Sequence, residues 1–160
     1  MNIPFNIPYC APTTENYLRT VLSSNHQSGN GKFTALAQEA IERQTGALKV
    51  LLTHSCTGAL ELASLAADLG AEDEVIIPSF TFVSSATAVM LRGATPVFVD
   101  IDPVTLNIDP NEIESAITER TKAVMVVHYA GIACDMHTIL SIAEKYKLLV
   151  IEDAAQAIGS

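Results

Sequence analysis

The apolar positions change period along this chain. Tyr17, Leu18, Val21 and Leu22 fall at helical spacing and predict a short helix. Phe33, Leu36, Ala37, Ala40 and Ile41 follow i, i+3, i+4, i+7 and i+8, the stripe of a second helix that stops before Gly46. Between them Ser23–Gly31 (SSNHQSGNG) is polar and reads as a loop, while Pro4, Pro8 and Pro12 predict an extended N-terminal arm. From Lys49 onward a different unit recurs. Val- and Ile-rich runs at Val50–Thr53, Glu74–Pro78, Pro96–Asp100, Ala123–His128 and Leu148–Glu152 show little alternation, as expected of strands covered on both faces. Helical stripes lie between most of them: Leu62, Leu65, Ala66 and Leu69; Met136, Ile139, Leu140 and Ala143. Asp109-Pro110-Asn111-Glu112 sets an N-cap acid before proline at the first helical position, and Ile113, Ala116 and Ile117 supply the buried face. Strands alternating with helices predict an α/β fold, a mainly parallel sheet with helices on both faces. The division expected is 1–31 as arm, short helix and loop, and 32–160 as the α/β part. The last run has no crossover helix after it, so the sequence reads as the front part of something longer.

Composition narrows the class. With 49% hydrophobic and 17% charged residues in 160, the chain can enclose a core, and disorder is excluded. Nine Lys and Arg face 18 Asp and Glu, a net charge of −9 that repels phosphate backbones and anionic lipid and argues against nucleic-acid or membrane-surface roles. No apolar run approaches the roughly 20 residues that span a bilayer, and the N-terminus lacks the basic region of a signal peptide. Cys10, Cys56 and Cys134 are odd in number and widely spaced, which fits a reducing cytoplasm.

In open parallel sheets ligands bind outside the carboxyl ends of the strands, so the residues after each run carry the candidate chemistry. Ser55, Thr57 and Gly58 open a helix after the first run, either as a phosphate seat or as an ordinary helix cap. Gly29-Asn30-Gly31 has Thr34 where a dinucleotide fingerprint needs glycine, and Gly31-Lys32 lacks the rest of a P-loop, so dinucleotide and nucleoside-triphosphate folds are disfavoured. Phe80 and Phe82 serve packing or ring stacking. Asp153, after Leu149-Val150-Ile151, is costly beside so apolar a run unless a cation or donors meet it, or it caps the next turn; Glu152 points to the other face, and Gln156 could reach the same ligand as Asp153. His54, Cys56, His128 and Cys134 match no zinc spacing, Cys56 is expected to face its helix packing, and no metal is assigned. A Gly-x-Ser-x-Gly elbow is also missing.

Four segments, Ser55–Leu60, Gly70–Val83, Val127–Gly131 and Ile151–Gln156, resemble the sugar-nucleotide aminotransferases of the DegT/StrS group, and Ile3–Asn6 and Ser28–Thr34 fit as well. The resemblance implies the fold of type I pyridoxal 5'-phosphate (PLP) enzymes, with 32–160 as the N-terminal part of the PLP-binding large domain. It implies that Thr57 and Gly58 hold the cofactor phosphate, Phe82 stacks on the pyridine ring, Asp153 pairs with the pyridinium nitrogen and Gln156 supports the 3-hydroxyl edge. The implied reaction is transamination of a nucleotide-linked keto-deoxysugar, dTDP-4-keto-6-deoxyglucose, with glutamate as amino donor, in a cytoplasmic homodimer. The family's Schiff-base lysine lies downstream of Asp-Ala-Ala-Gln, and Lys32, Lys49, Lys122, Lys145 and Lys147 match no such context and read as solvated. A lysine-less sugar deoxygenase using pyridoxamine phosphate and a non-catalytic remnant are the alternatives.

Overall fold

The structure, a computed structural model, describes residues 2–4 and 7–159. The chain divides into two compact units, Met1–Leu52 and Thr53–Ser160. The first holds two helices, α1 (Thr14–Ser23) and α2 (Lys32–Thr45), both at the places the apolar stripes predict. Tyr17 meets Phe33 edge-on with ring centroids 5.3 Å apart. Gly46, in the left-handed region at φ 73°, closes α2 by donating its amide to the Glu42 carbonyl at 2.9 Å.

The second unit runs α3 (Cys56–Ala66), β1 (Glu74–Pro78), α4 (Val83–Met90), β2 (Thr95–Val99), α5 (Pro110–Ala116), β3 (Thr121–Val127), a 3-10 turn (Tyr129–Gly131), α6 (Met136–Tyr146) and β4 (Leu149–Asp153). Its four strands form one parallel sheet in the order β2-β1-β3-β4. From β1 the chain steps one way to β2, then crosses back over β1 to β3 and continues to β4. Right-handed crossovers travelling in opposite directions must lay their helices on opposite faces, and the core shows this. Val75, Ile77, Ala123, Met125 and Ile151 pack with Leu60, Ala86 and Val89 of α3 and α4. Ile76, Val99, Val124 and Val126 pack with Ile113, Ile139 and Ile142 of α5 and α6. Alternate residues of each strand therefore serve opposite layers, and beyond their amino ends the central strands are apolar.

Two expectations are corrected. Val50–Thr53 forms no strand: Leu51 and Leu52 are exposed, and the Val50 amide donates to the Glu42 carboxylate at 3.1 Å instead of to a ladder. An apolar run becomes a strand only where a neighbour offers backbone partners, and no strand among the described residues pairs with it. Helix α4 carried no stripe because its buried residues, Ser84, Ser85, Ala86, Ala88 and Val89, are small or polar. Lys122, read as solvated, is two-thirds covered and pairs with Asp73 at 3.1 Å. It lies with the buried Glu74, whose carboxylate meets Arg120 and the Thr118 hydroxyl, at the amino ends of β1 and β3. No helix among the described residues is long and apolar enough to cross a membrane.

Ile76→Ala, in the fully buried centre of β1, is expected to cost about 2–5 kcal/mol, read as a fall in the urea midpoint. Asp109→Ala removes the carboxylate that accepts the Asn111 amide at 2.9 Å and should cost about 1 kcal/mol by the same measurement.

Candidate functional site

The reversal of travel between β1 and β3 makes a switch point, where the connections leaving their carboxyl ends run in opposite directions. A cleft of about 280 Å³ sits at that place. Thr81, Phe82 and Ser84, after β1, form one side, and His128 and Tyr129, after β3, form another. Asp153 and Gln156 come from the end of β4, and Cys56 and Thr57 from the start of α3.

Strand parity fixes the floor. Ile151 belongs to the layer packed on α3 and α4, so Asp153, two residues on, faces the same helices. Its side chain is 5% exposed. Oδ2 accepts from the Ser85 hydroxyl at 2.9 Å; Oδ1 accepts from the Ala155 amide at 3.2 Å and from the Cys56 thiol at 3.6 Å. The acid thus caps its own turn and presents a carboxylate to the cleft as well. Cys56 does not face its helix packing as expected: its thiol points to Asp153, and burial first, then the Asp153 charge and hydrogen bond, push its pKa up. Asp153 has no ion-pair partner among the described residues, whereas Glu74, the other buried acid, has Arg120.

At the mouth of α3, Ser55 caps the helix by accepting the Gly58 amide at 3.1 Å. The first amides of a helix have no carbonyl within it to bond, so the Cys56 and Thr57 N–H groups are without partners inside α3, and both residues line the cleft. Phe82 is 71% exposed at the cleft rim, while Phe80 packs on Tyr129 with centroids 5.1 Å apart. Gln156 accepts the Ala130 amide at 2.8 Å through Oε1. The structure therefore brings Thr57, Phe82, Asp153 and Gln156 to one cleft, with Gly58 in the first turn of α3 behind it.

Asn107 and Ser85 are not singled out in the sequence, and His128 and Cys134 are weighed there only as metal ligands. Asn107 is buried, accepts the Tyr129 amide at 3.0 Å and donates to the Ile132 carbonyl at 3.0 Å, tying down the turn after β3. His128 accepts the Cys134 amide on Nδ1 at 3.1 Å, so its proton sits on Nε2 and is donated to Glu152 at 2.9 Å. Both lie on the α5–α6 face, confirming that Glu152 points away from Asp153. Cys134 donates its thiol to the Val127 carbonyl at 3.2 Å, and burial pushes its pKa up to about 11. Ser85 could have been suspected only as a serine within an apolar segment. No group of three or more metal-ligating side chains occurs among the described residues.

Comparison with known proteins agrees with this architecture. Over 91% of the chain it is 43% identical to GDP-perosamine synthase of Caulobacter vibrioides, and over 98% it is 42% identical to the spore coat polysaccharide biosynthesis protein SpsC of Bacillus subtilis. It spans 39% and 40% of those two proteins. The crystal structure of NtdA from Bacillus subtilis with bound cofactor PMP superposes with a TM-score of 0.87 at 39% identity, covering 91% of this chain and 33% of that one. The parallel sheet with helices on both faces is the architecture of fold type I PLP-dependent aminotransferases. Residues 9–160 match the DegT/DnrJ/EryC1/StrS aminotransferase family, and the chain belongs to that family.

Proposed function

We propose that the protein carrying this chain is a PLP-dependent aminotransferase of a nucleotide-linked keto-deoxysugar. The observation that carries the reading is Asp153, a buried carboxylate at the floor of a cleft, satisfied by neutral donors and, among the described residues, without a cation of its own. A protonated pyridine nitrogen is the partner such an acid lacks. The surrounding residues fit the rest of the cofactor. The first amides of α3 and the hydroxyl of Thr57, with the Cβ-free Gly58 behind them, suit a phosphate, the exposed Phe82 ring suits stacking, and Gln156 suits the ring's hydroxyl edge. When bound, PLP supplies the electron sink on which amino transfer depends. Asp153 would hold the positive charge on that ring, Phe82 would stack on it, and the start of α3 would hold the phosphate.

The proposed substrate is dTDP-4-keto-6-deoxyglucose, with glutamate as amino donor; a GDP-linked keto sugar, the nucleotide class named in the Caulobacter relative, is the competitor to test beside it. The proposed setting is a cytoplasmic homodimer, with residues 1–31 as arm, short helix and loop and 32–160 as the first part of the cofactor-binding domain.

The test uses the protein expressed from its whole coding region. PLP titration should give saturable binding, and Asp153→Asn should raise the Kd about 30-fold or more, the cost of stranding one member of a buried charge pair; an unchanged Kd overturns the assignment of Asp153. Incubation with glutamate and each keto sugar should yield an amino sugar, and its absence with every nucleotide sugar tried overturns the substrate class. In cofactor-free protein Asp153→Asn should also lower the pH at which the Cys56 thiol ionises, since the neighbouring carboxylate raises it. The rate of alkylation at Cys56 against pH reads this directly.

A further inference from the structure

We propose that Ser85 is a positioning residue for Asp153, its buried hydroxyl, held in turn by Thr81, fixing the carboxylate that faces the cofactor ring. The proposal rests on the PLP reading and adds to it a residue outside the cofactor's own contacts.

Serine and threonine within helices ordinarily return their hydroxyl hydrogen bond to a carbonyl three or four residues back. Thr20, Ser23, Thr45, Ser115 and Ser141 all do so. Ser85 does not. It is the third residue of α4 and fully buried, yet its hydroxyl leaves the helix for Asp153 Oδ2, 2.9 Å away on a strand 68 residues later. Its second contact, the Thr81 hydroxyl at 2.8 Å, also lies off the helical backbone.

The direction of this chain of hydroxyls is determined. A carboxylate only accepts, so the single Ser85 proton goes to Oδ2. Thr81 must then donate to Ser85. Among the described residues Ser85 is the one donor on Oδ2, while Oδ1 has a backbone amide and a thiol, the latter a weak donor at long range. The strongest side-chain bond to this acid therefore comes from a residue that does not itself present a group to the ring. Hydrogen bonds to charged groups are worth more than neutral ones, and the surrounding Ala86, Val89 and Ile151 offer no substitute. Without the Ser85 hydroxyl the carboxylate has one unsatisfied oxygen and is free to turn about its side-chain bond.

The experiment compares the Kd of PLP with that of its 1-deaza analogue, in which CH replaces the ring nitrogen, in the protein expressed from its whole coding region. Wild type should prefer PLP, and Asp153→Asn should abolish the preference. Ser85→Ala should reduce that preference about ten-fold or more by weakening PLP alone, with the analogue's Kd unchanged, and Thr81→Val should move it in the same direction by less. A purely structural role predicts equal losses for both ligands, and that result, or an unchanged preference in Ser85→Ala beside a collapsed one in Asp153→Asn, overturns the assignment of Ser85 while leaving the cofactor reading intact. A wild type without preference, or an Asp153→Asn variant that keeps it, overturns the cofactor reading itself. If Ser85→Ala does not fold, as judged by circular dichroism, Thr81→Val decides by the same comparison.

Discussion

An ionised carboxylate withdrawn from water costs several kcal/mol unless donors or a cation replace the lost hydration, and Asp153 meets this demand from three separate elements. Its donors come from the start of α3, the first turn of α4 and the turn that follows β4. All depend on Asp153 facing the α3–α4 layer. A slip of one residue in the pairing of β4 with β3 would turn Glu152 to that layer and Asp153 to the opposite one. The register Met125↔Ile151 and Val127↔Asp153 is held by Ile151, which is locked into the core two residues before the acid. Hydrophobic alternation in the strand thus decides which of two adjacent acids faces the cleft.

The same economy appears at the scale of the sheet. Because the chain reverses direction after β2, α4 and α5 fall on opposite faces and the ends of β1 and β3 are left uncovered. Charge is then sorted by end. Glu74 and Asp73 sit at the amino ends with Arg120 and Lys122 as partners, a closed arrangement that needs nothing further. At the carboxyl ends Asp153 has, among the described residues, only neutral donors. Two buried acids in one small unit therefore differ in kind, and the difference lies in whether a cation is built in.

Much of this was legible in the sequence, for a physical reason. Strands covered on both faces read as continuous Val and Ile, so β1 matched its run residue for residue, and β2, β3 and β4 lay within two residues of theirs. Val50–Thr53 has the same composition and is not a strand, because composition records the wish to be buried and not the presence of a neighbour. Helix α4 was hidden by its two buried serines, of which Ser85 bonds to an acid far away in the sequence. The side-chain donors to Asp153 stand 97 and 68 residues from it, and separations of that size leave no local trace. Phe82, Asp153 and Gln156 could be nominated because strand ends are where such sheets bind ligands, and Thr57 because Ser55-Cys56-Thr57-Gly58 reads as a helix start; what holds them in place could not.

The turn after β3 shows why the holding matters. Ala130 lies in the left-handed region at φ 53°, a conformation that costs a residue with a Cβ on the order of 1 kcal/mol and persists only where its surroundings impose it. Here three side chains do so: Asn107 binds the amide before it and the carbonyl beyond, Gln156 takes its own amide, and His128 ties the strand end to Cys134. These contacts place strain at the cleft wall and suppress its motion together. Tyr129 is consequently held against Phe80, and Phe82, two residues further along the β1 loop, is left as the aromatic ring free to meet a ligand. A rigid wall opposite an exposed ring is what a flat ligand requires, since a site that had to order itself on binding would lose affinity to the entropy of that ordering.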